Sequence, residues 1–152
     1  VRSCRRPLLI AAMPPLAPYR RALLALDFDE ASTAAARAAL NLGVFDRLQV
    51  TVMHSAKSME GASSGAAQEA IAARLQALLA ELGSCGPGVR TIVTAGSPAQ
   101  TILESASADD ADLVILGTSQ RTGVARLLIG SVAAEVLRDS TRDMLIVPVE
   151  HG

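Results

Sequence analysis

Apolar positions in this chain follow two alternating rhythms. Short apolar runs have the length and β-branched content of buried strands: Arg21-Ala-Leu-Leu-Ala-Leu-Asp27, Leu48-Gln-Val-Thr-Val-Met-His54, Val89-Arg-Thr-Ile-Val-Thr94, Leu113-Val-Ile-Leu116 and Asp143 to Val149. Between them the spacing becomes helical. One helix is expected from about Glu30 through Ala34-Ala-Ala-Arg-Ala-Ala-Leu40 to a stop at Gly43, with Asp27 or Asp29 as its cap. Ile71, Leu75, Leu78, Leu79 and Leu82 mark a second that ends at Gly83. Gly96-Ser-Pro98 opens a third with Ser97 as N-cap, burying Ile102, Leu103 and Ala106, and Ser131-Val-Ala-Ala-Glu-Val-Leu-Arg138 forms a fourth. Strand and helix in strict alternation predict an α/β fold of three layers, α/β/α, around a five-stranded parallel sheet with right-handed crossovers. Ser58 to Gly65, small and polar, reads as a loop.

Composition narrows the function classes. With 152 residues the chain is one domain by length, and half of it is apolar, yet it holds no Trp, one Tyr and two Phe. The core is therefore aliphatic, and nucleic-acid binding by base stacking is disfavoured. A formal charge of −1 without long like-charge runs nominates no polyanionic or membrane partner. Cys4 and Cys85 lack C-x-x-C spacing and read as reduced bystanders of a cytoplasmic protein. The apolar stretch Leu8 to Met13 stops at Pro14-Pro15, short for a signal peptide, and no segment is long enough to span a bilayer.

Candidate chemistry concentrates in Leu113-Val-Ile-Leu-Gly117-Thr-Ser-Gln120-Arg-Thr-Gly123-Val-Ala-Arg-Leu-Leu-Ile-Gly130-Ser131. The pattern is strand, glycine-bearing loop, helix. Glycines let backbone N–H groups approach a ligand, and the start of a helix carries free donors at its positive end, which together suit a phosphate. Tight connection alone is the competing account of the same glycines.

The stretch resembles the nucleotide loop of the universal stress protein family, G-x-x-G-x9-G-[ST]. Gly117 matches the first position, Gly130 the third and Ser131 the hydroxyl position, while Gln120 stands where the second glycine is usual. The resemblance runs from about Arg20 to Glu150 and implies strand order 3-2-1-4-5 in a Rossmann-like sheet, with Asp27 and Gly117 flanking the crevice where the order reverses. It also implies ATP or another adenine nucleotide as ligand, with Mg accompanying the phosphates. Asp27 and Ser55 would hold the adenosine end, and Gly117, Gln120, Arg121, Gly123, Gly130 and Ser131 would surround the phosphates, with Arg126 a further source of charge. If position 120 needs the positive φ of its usual glycine, Gln120 costs about 1 kcal/mol or more and weakens binding roughly tenfold if loop closure bears all of it. His54 reads as a structural residue.

The first eighteen residues stand apart. Ser3-Cys-Arg-Arg-Pro-Leu-Leu-Ile-Ala-Ala-Met13 overlays Ser140-Thr-Arg-Asp-Met-Leu-Ile-Val-Pro-Val-Glu150, with Leu8-Leu-Ile10 on Leu145-Ile-Val147. Residues 1–18 are thus expected to be the last strand of a preceding like domain plus a proline-stiffened linker, and 19–152 the domain proper; chance similarity of two aliphatic strands is the alternative. The last strand, Met144 to Val149, is an edge strand in the implied order, so homodimer or tandem-domain pairing is expected there, with the leader as a candidate cover on its own domain or a neighbour's. No Walker lysine or acid/base pair is present, so the function implied is a stress-response regulator that binds ATP and hydrolyses it slowly at most. The alternative is a dimerising interaction module that has lost the nucleotide.

Overall fold

The structure, a computed structural model, describes residues 6–12, 14, 16–56, 65–83, 88–121 and 129–151. Its elements in chain order are β1 (Leu8–Ile10), β2 (Arg21–Ala25), α1 (Glu30–Asn41), α2 (Val44–Arg47), β3 (Gln49–Ala56), α3 (Gly65–Glu81), β4 (Val89–Ala95), α4 (Pro98–Ala108), β5 (Leu113–Arg121), α5 (Ser131–Asp139) and β6 (Asp143–His151). They form a six-stranded sheet of order β1-β6-β5-β2-β3-β4. Five of its strands are parallel in the order expected. The sixth corrects the five-stranded expectation: β1 adds antiparallel to β6, pairing Leu8 with Ile146, Leu9 with Leu145 and Ile10 with Met144. An edge strand with open N–H and C=O groups favours such a cover, and the leader has the residues for it.

Period-two alternation divides the core into two aliphatic layers. Leu24, Val52, Ile115 and Leu145 point toward the alanine face of α1 (Ala35, Ala36, Ala39) and toward Leu75 and Leu79 of α3. Their neighbours Leu23, Met53, Val114 and Ile146 point toward Ile102 and Ala106 of α4 and Val136 of α5. Small residues on α1 let its backbone come close to the sheet. Gly117 is the counterpart on β5, for a Cβ there would lie 2.0 Å from the Ala31 carbonyl oxygen.

Two further elements differ from expectation. The short helix α2 lies between the predicted helix stop at Gly43 and the strand at Leu48. Strand β5 does not end at Gly117 but continues to Arg121, with Thr118 opposite Pro148 and Gln120 opposite Glu150. Residues 117–120 are thus strand rather than loop. Gln120 accordingly has an extended backbone, and the described non-glycine residues at positive φ are Phe28 and Asp110, so the left-handed cost expected at Gln120 is removed.

Candidate functional site

Strand order reverses beside β2, which pairs with β3 on one side and with β5 on the other. Helices crossing to opposite faces leave a crevice at the carboxyl ends of such strands. Here it is a cleft of about 650 Å³, mouth included, floored by Leu26, Met53, Ile102 and Leu116 and rimmed by Asp27, Ser55 and Gly117, with Val132 of α5 in its wall. An apolar floor with a few polar groups at the rim is the usual make-up of a small-molecule site.

The rim follows β2 into α1. Asp29 caps α1, its Oδ1 accepting the Ser32 N–H at 2.7 Å, so Asp29 rather than Asp27 is the cap. The Ser32 hydroxyl accepts the Asp27 N–H at 3.0 Å, which fixes the Asp27 backbone and leaves its carboxylate at the mouth with the side chain 66% exposed. His54 Nδ1 lies 3.0 Å from the Leu26 carbonyl oxygen and 3.5 Å from Asp27 Oδ1. A carbonyl can only accept, so Nδ1 carries the proton and His54 steadies both groups. Phe28, at φ 60°, sets its ring 5.1 Å from the imidazole, and the Arg74 guanidinium lies 4.1 Å from the Phe28 ring centre. This stack clamps the strained turn between β2 and α1 to α3.

On the opposite wall α5 begins with Gly130 at its N-cap and no side-chain cap. The Gly130 N–H donates to Thr118 Oγ1 at 2.8 Å, and a Cβ on Gly130 would lie 3.3 Å from that oxygen. Thr118, buried on β5, therefore latches the start of α5 to the sheet. The N–H groups of Ser131, Val132 and Ala133 have no helical acceptor and sit at the positive end of the helix. Ser55, at the end of β3, donates its hydroxyl to the Gly96 carbonyl at 3.1 Å, leaving its backbone on the cleft side.

The structure thus brings Asp27, Ser55 and Gly117 around one cleft and sets Gly130 and Ser131 at the start of α5, the helix that walls it. Gln120 and Arg121 lie on the distal end of β5. Gly123 and Arg126 fall outside the described residues, as do Cys4 and Cys85. Sequence reasoning missed Ser32, Thr118, Phe28 and Arg74. Thr118 and Gly130 are twelve residues apart and meet only through the strand–helix turn, and a serine inside an alanine-rich helix gives no sign of holding the strand before it. Among the described residues no group of three His, Cys, Asp or Glu side chains could hold a metal ion, and no helix is long and apolar enough to cross a membrane.

Comparison with known proteins identifies the family. The family model described as universal stress protein family matches residues 18–148. Universal stress protein MJ0531 of Methanocaldococcus jannaschii is 39% identical over 62 residues, 41% of this chain and 36% of that protein. The matched segment spans little more than a third of that relative. Among solved structures, MJ0577 superposes with a TM-score of 0.63 at 22% identity over 88% of this chain and 99% of that one. A universal stress protein in complex with cAMP superposes with a TM-score of 0.64 at 20% identity over 85% of this chain and 97% of that one. At such identities the structural likeness is one of fold. With the family model covering nearly all of the two-layered sheet and its cleft, the chain belongs to the universal stress protein family.

Proposed function

We propose that this chain is a stress-response regulator that binds an adenine nucleotide, ATP in the first place, in the cleft between the carboxyl ends of β2 and β5. One observation carries the reading: a single cleft has the Asp27 carboxylate at one rim and an uncapped helix start, α5, in its opposite wall. A carboxylate suits sugar hydroxyls, and free N–H groups at a helix start suit phosphate. The base would lie on the apolar floor beside the Ser55 backbone. Gln120, Arg121 and Gly123 would lie toward the outer phosphates, where Mg would accompany them. Support comes from family membership and from the like-folded protein whose structure holds cAMP. The role is binding rather than turnover, in a cytoplasmic setting.

The rival reading, an interaction module of the same fold without nucleotide, draws on a specific observation. Gly117 and Gly130 each have a packing reason to be glycine, the first against the Ala31 carbonyl and the second against Thr118. Calorimetric titration of ATP and of adenosine into the parent chain and Asp27→Ala separates the two. The nucleotide reading expects saturable ATP binding that Asp27→Ala weakens about tenfold or more, as loss of a charged hydrogen bond does. Absence of heat at millimolar ATP with a folded parent would give the interaction module its place.

A further inference from the structure

Asp27 is followed by a residue that breaks a local rule. Phe28 holds φ 60°, in the left-handed region where a β-carbon crowds the backbone and glycine is the usual occupant. Glycine would make the turn from β2 into α1 without strain, so what the position gains is the phenylalanine ring. Strain of this kind persists where the surroundings over-determine the conformation, and the ring has two such neighbours. One is the imidazole of His54, with centroids 5.1 Å apart and planes tilted by 49°. The other is the Arg74 guanidinium of α3, 4.1 Å from the ring centre.

Given nucleotide binding in the cleft, on which this rests, we infer that Phe28 and Arg74 are positioning residues for Asp27 that make the site selective for ribonucleosides with free sugar hydroxyls.

Each link has its own contact. The Ser32 hydroxyl fixes the Asp27 backbone, but among the described residues no hydrogen bond reaches the Asp27 carboxylate, and the side chain is 66% exposed. Facing Oδ1 is His54 Nδ1 at 3.5 Å, too long for a full hydrogen bond from a proton already given to the Leu26 carbonyl at 3.0 Å. The N–H dipole therefore guides the carboxylate without consuming it, and both oxygens stay able to accept from hydroxyls. That guidance holds only while the imidazole keeps one tautomer and one orientation. Leu26 fixes its Nδ1 edge and Phe28 packs against the ring. Phe28 is held in turn by Arg74, which among the described residues has neither ion pair nor hydrogen bond and lies over the aromatic ring instead. None of Phe28, His54 and Arg74 lines the cleft, so they reach a ligand only through Asp27. With the base beside Ser55, the donors that meet Asp27 are the ribose hydroxyls.

Calorimetric titration of adenosine and of 2′,3′-dideoxyadenosine into the full chain and its variants tests this. The parent should prefer adenosine about tenfold, the scale of a charged hydrogen bond. Arg74→Met, at an exposed helix position, should lower that preference about threefold, the reach of an exposed cation–π contact. Phe28→Gly, which makes the turn freely and lacks the ring, should bring it below about twofold, while dideoxyadenosine binds as in the parent. In an Asp27→Ala chain, adding Arg74→Met should change neither nucleoside, because the route to the ligand is already cut. A parent that binds neither nucleoside removes the nucleotide reading and this inference with it. A parent that binds adenosine without the preference, or variants that keep it or lose both nucleosides alike, overturns the inference alone. So does a further loss from Arg74→Met in the Asp27→Ala chain. Should Phe28→Gly fail to fold, Arg74→Met decides by the same ratio.

Discussion

The two ends of the sheet are built on opposite terms. At the amino end, charged groups are spent on one another. Asp112 Oδ2 accepts the N–H groups of Arg20 and Arg21 at 2.7 and 2.9 Å, Arg142 reaches Asp110 Oδ1 and the Ala111 carbonyl, and Arg90 pairs with Asp109. The hollow there is larger than the cleft, about 1850 Å³ against 650 Å³, but the acids Asp110 and Asp112 that line it are already engaged. At the carboxyl end an aspartate stands exposed at the mouth and a helix start is uncapped. Size alone favours the amino end; an exposed aspartate facing an uncapped helix start is what distinguishes the cleft.

Substitutions should divide along the same line. Gly117→Ala has the largest expected effect, because its Cβ meets helix backbone and not a movable side chain. Parting α1 from β5 should cost about 3 kcal/mol or more in urea denaturation. A loss below about 0.5 kcal/mol, the range of an ordinary surface change, would show that the close approach is not made.

At the amino end, Asp109→Asn should cost about 1–2 kcal/mol at neutral pH, the scale of a charged hydrogen bond. The Arg90 side chain holds the Asp109 carboxyl below its ordinary value, so its contribution is present above pH about 4 and lost as pH falls through the lower folded value. Stability against pH should thus lose part of its acid limb in the variant. An unaltered limb would remove Asp109 from the network.

Thr118→Val should cost about 1 kcal/mol by leaving the Gly130 N–H without its acceptor. It should also weaken ATP more than adenosine if, as proposed, only the phosphates meet the helix that Thr118 positions. Equal losses for both would reduce Thr118 to a packing residue.

The smallest effect expected is alkaline. Burial, with help from Asp143, pushes the Tyr19 hydroxyl up to about 12. Its raised value favours the protonated folded state, so the contribution is whole below pH about 10 and fades as pH rises toward 12. Tyr19→Phe should flatten that fall, and an equal fall in both chains would dismiss the bond from Tyr19 to Asp143.

How much of this was legible in the sequence depended on whether the cause was local. Leu113 to Leu116 and Arg21 to Leu26 read as strands because a strand covered on both faces is apolar throughout. Cover of the last strand by the leader was legible because Leu8-Leu-Ile10 repeats it. The four residues of α2 are too few to show a period. Gly117 looked like a strand terminator, since glycine breaks strands locally, while its reason is contact with a helix some eighty-five residues earlier in the chain. Asp109-Asp-Ala-Asp112 looked like a polar lead-in because Arg90 and Arg142, which give it meaning, meet it only across the sheet.

The contrast between the ends is tested most directly by titrating ATP into isotope-labelled chain and following backbone amide shifts. Binding at the carboxyl end predicts saturable shifts at Asp27, Ser55, Gly117 and Ser131 to Ala133, with Arg21, Asp110 and Asp112 unmoved. Shifts gathered at Arg20, Asp110 and Asp112, or none anywhere at millimolar ATP, would contradict it.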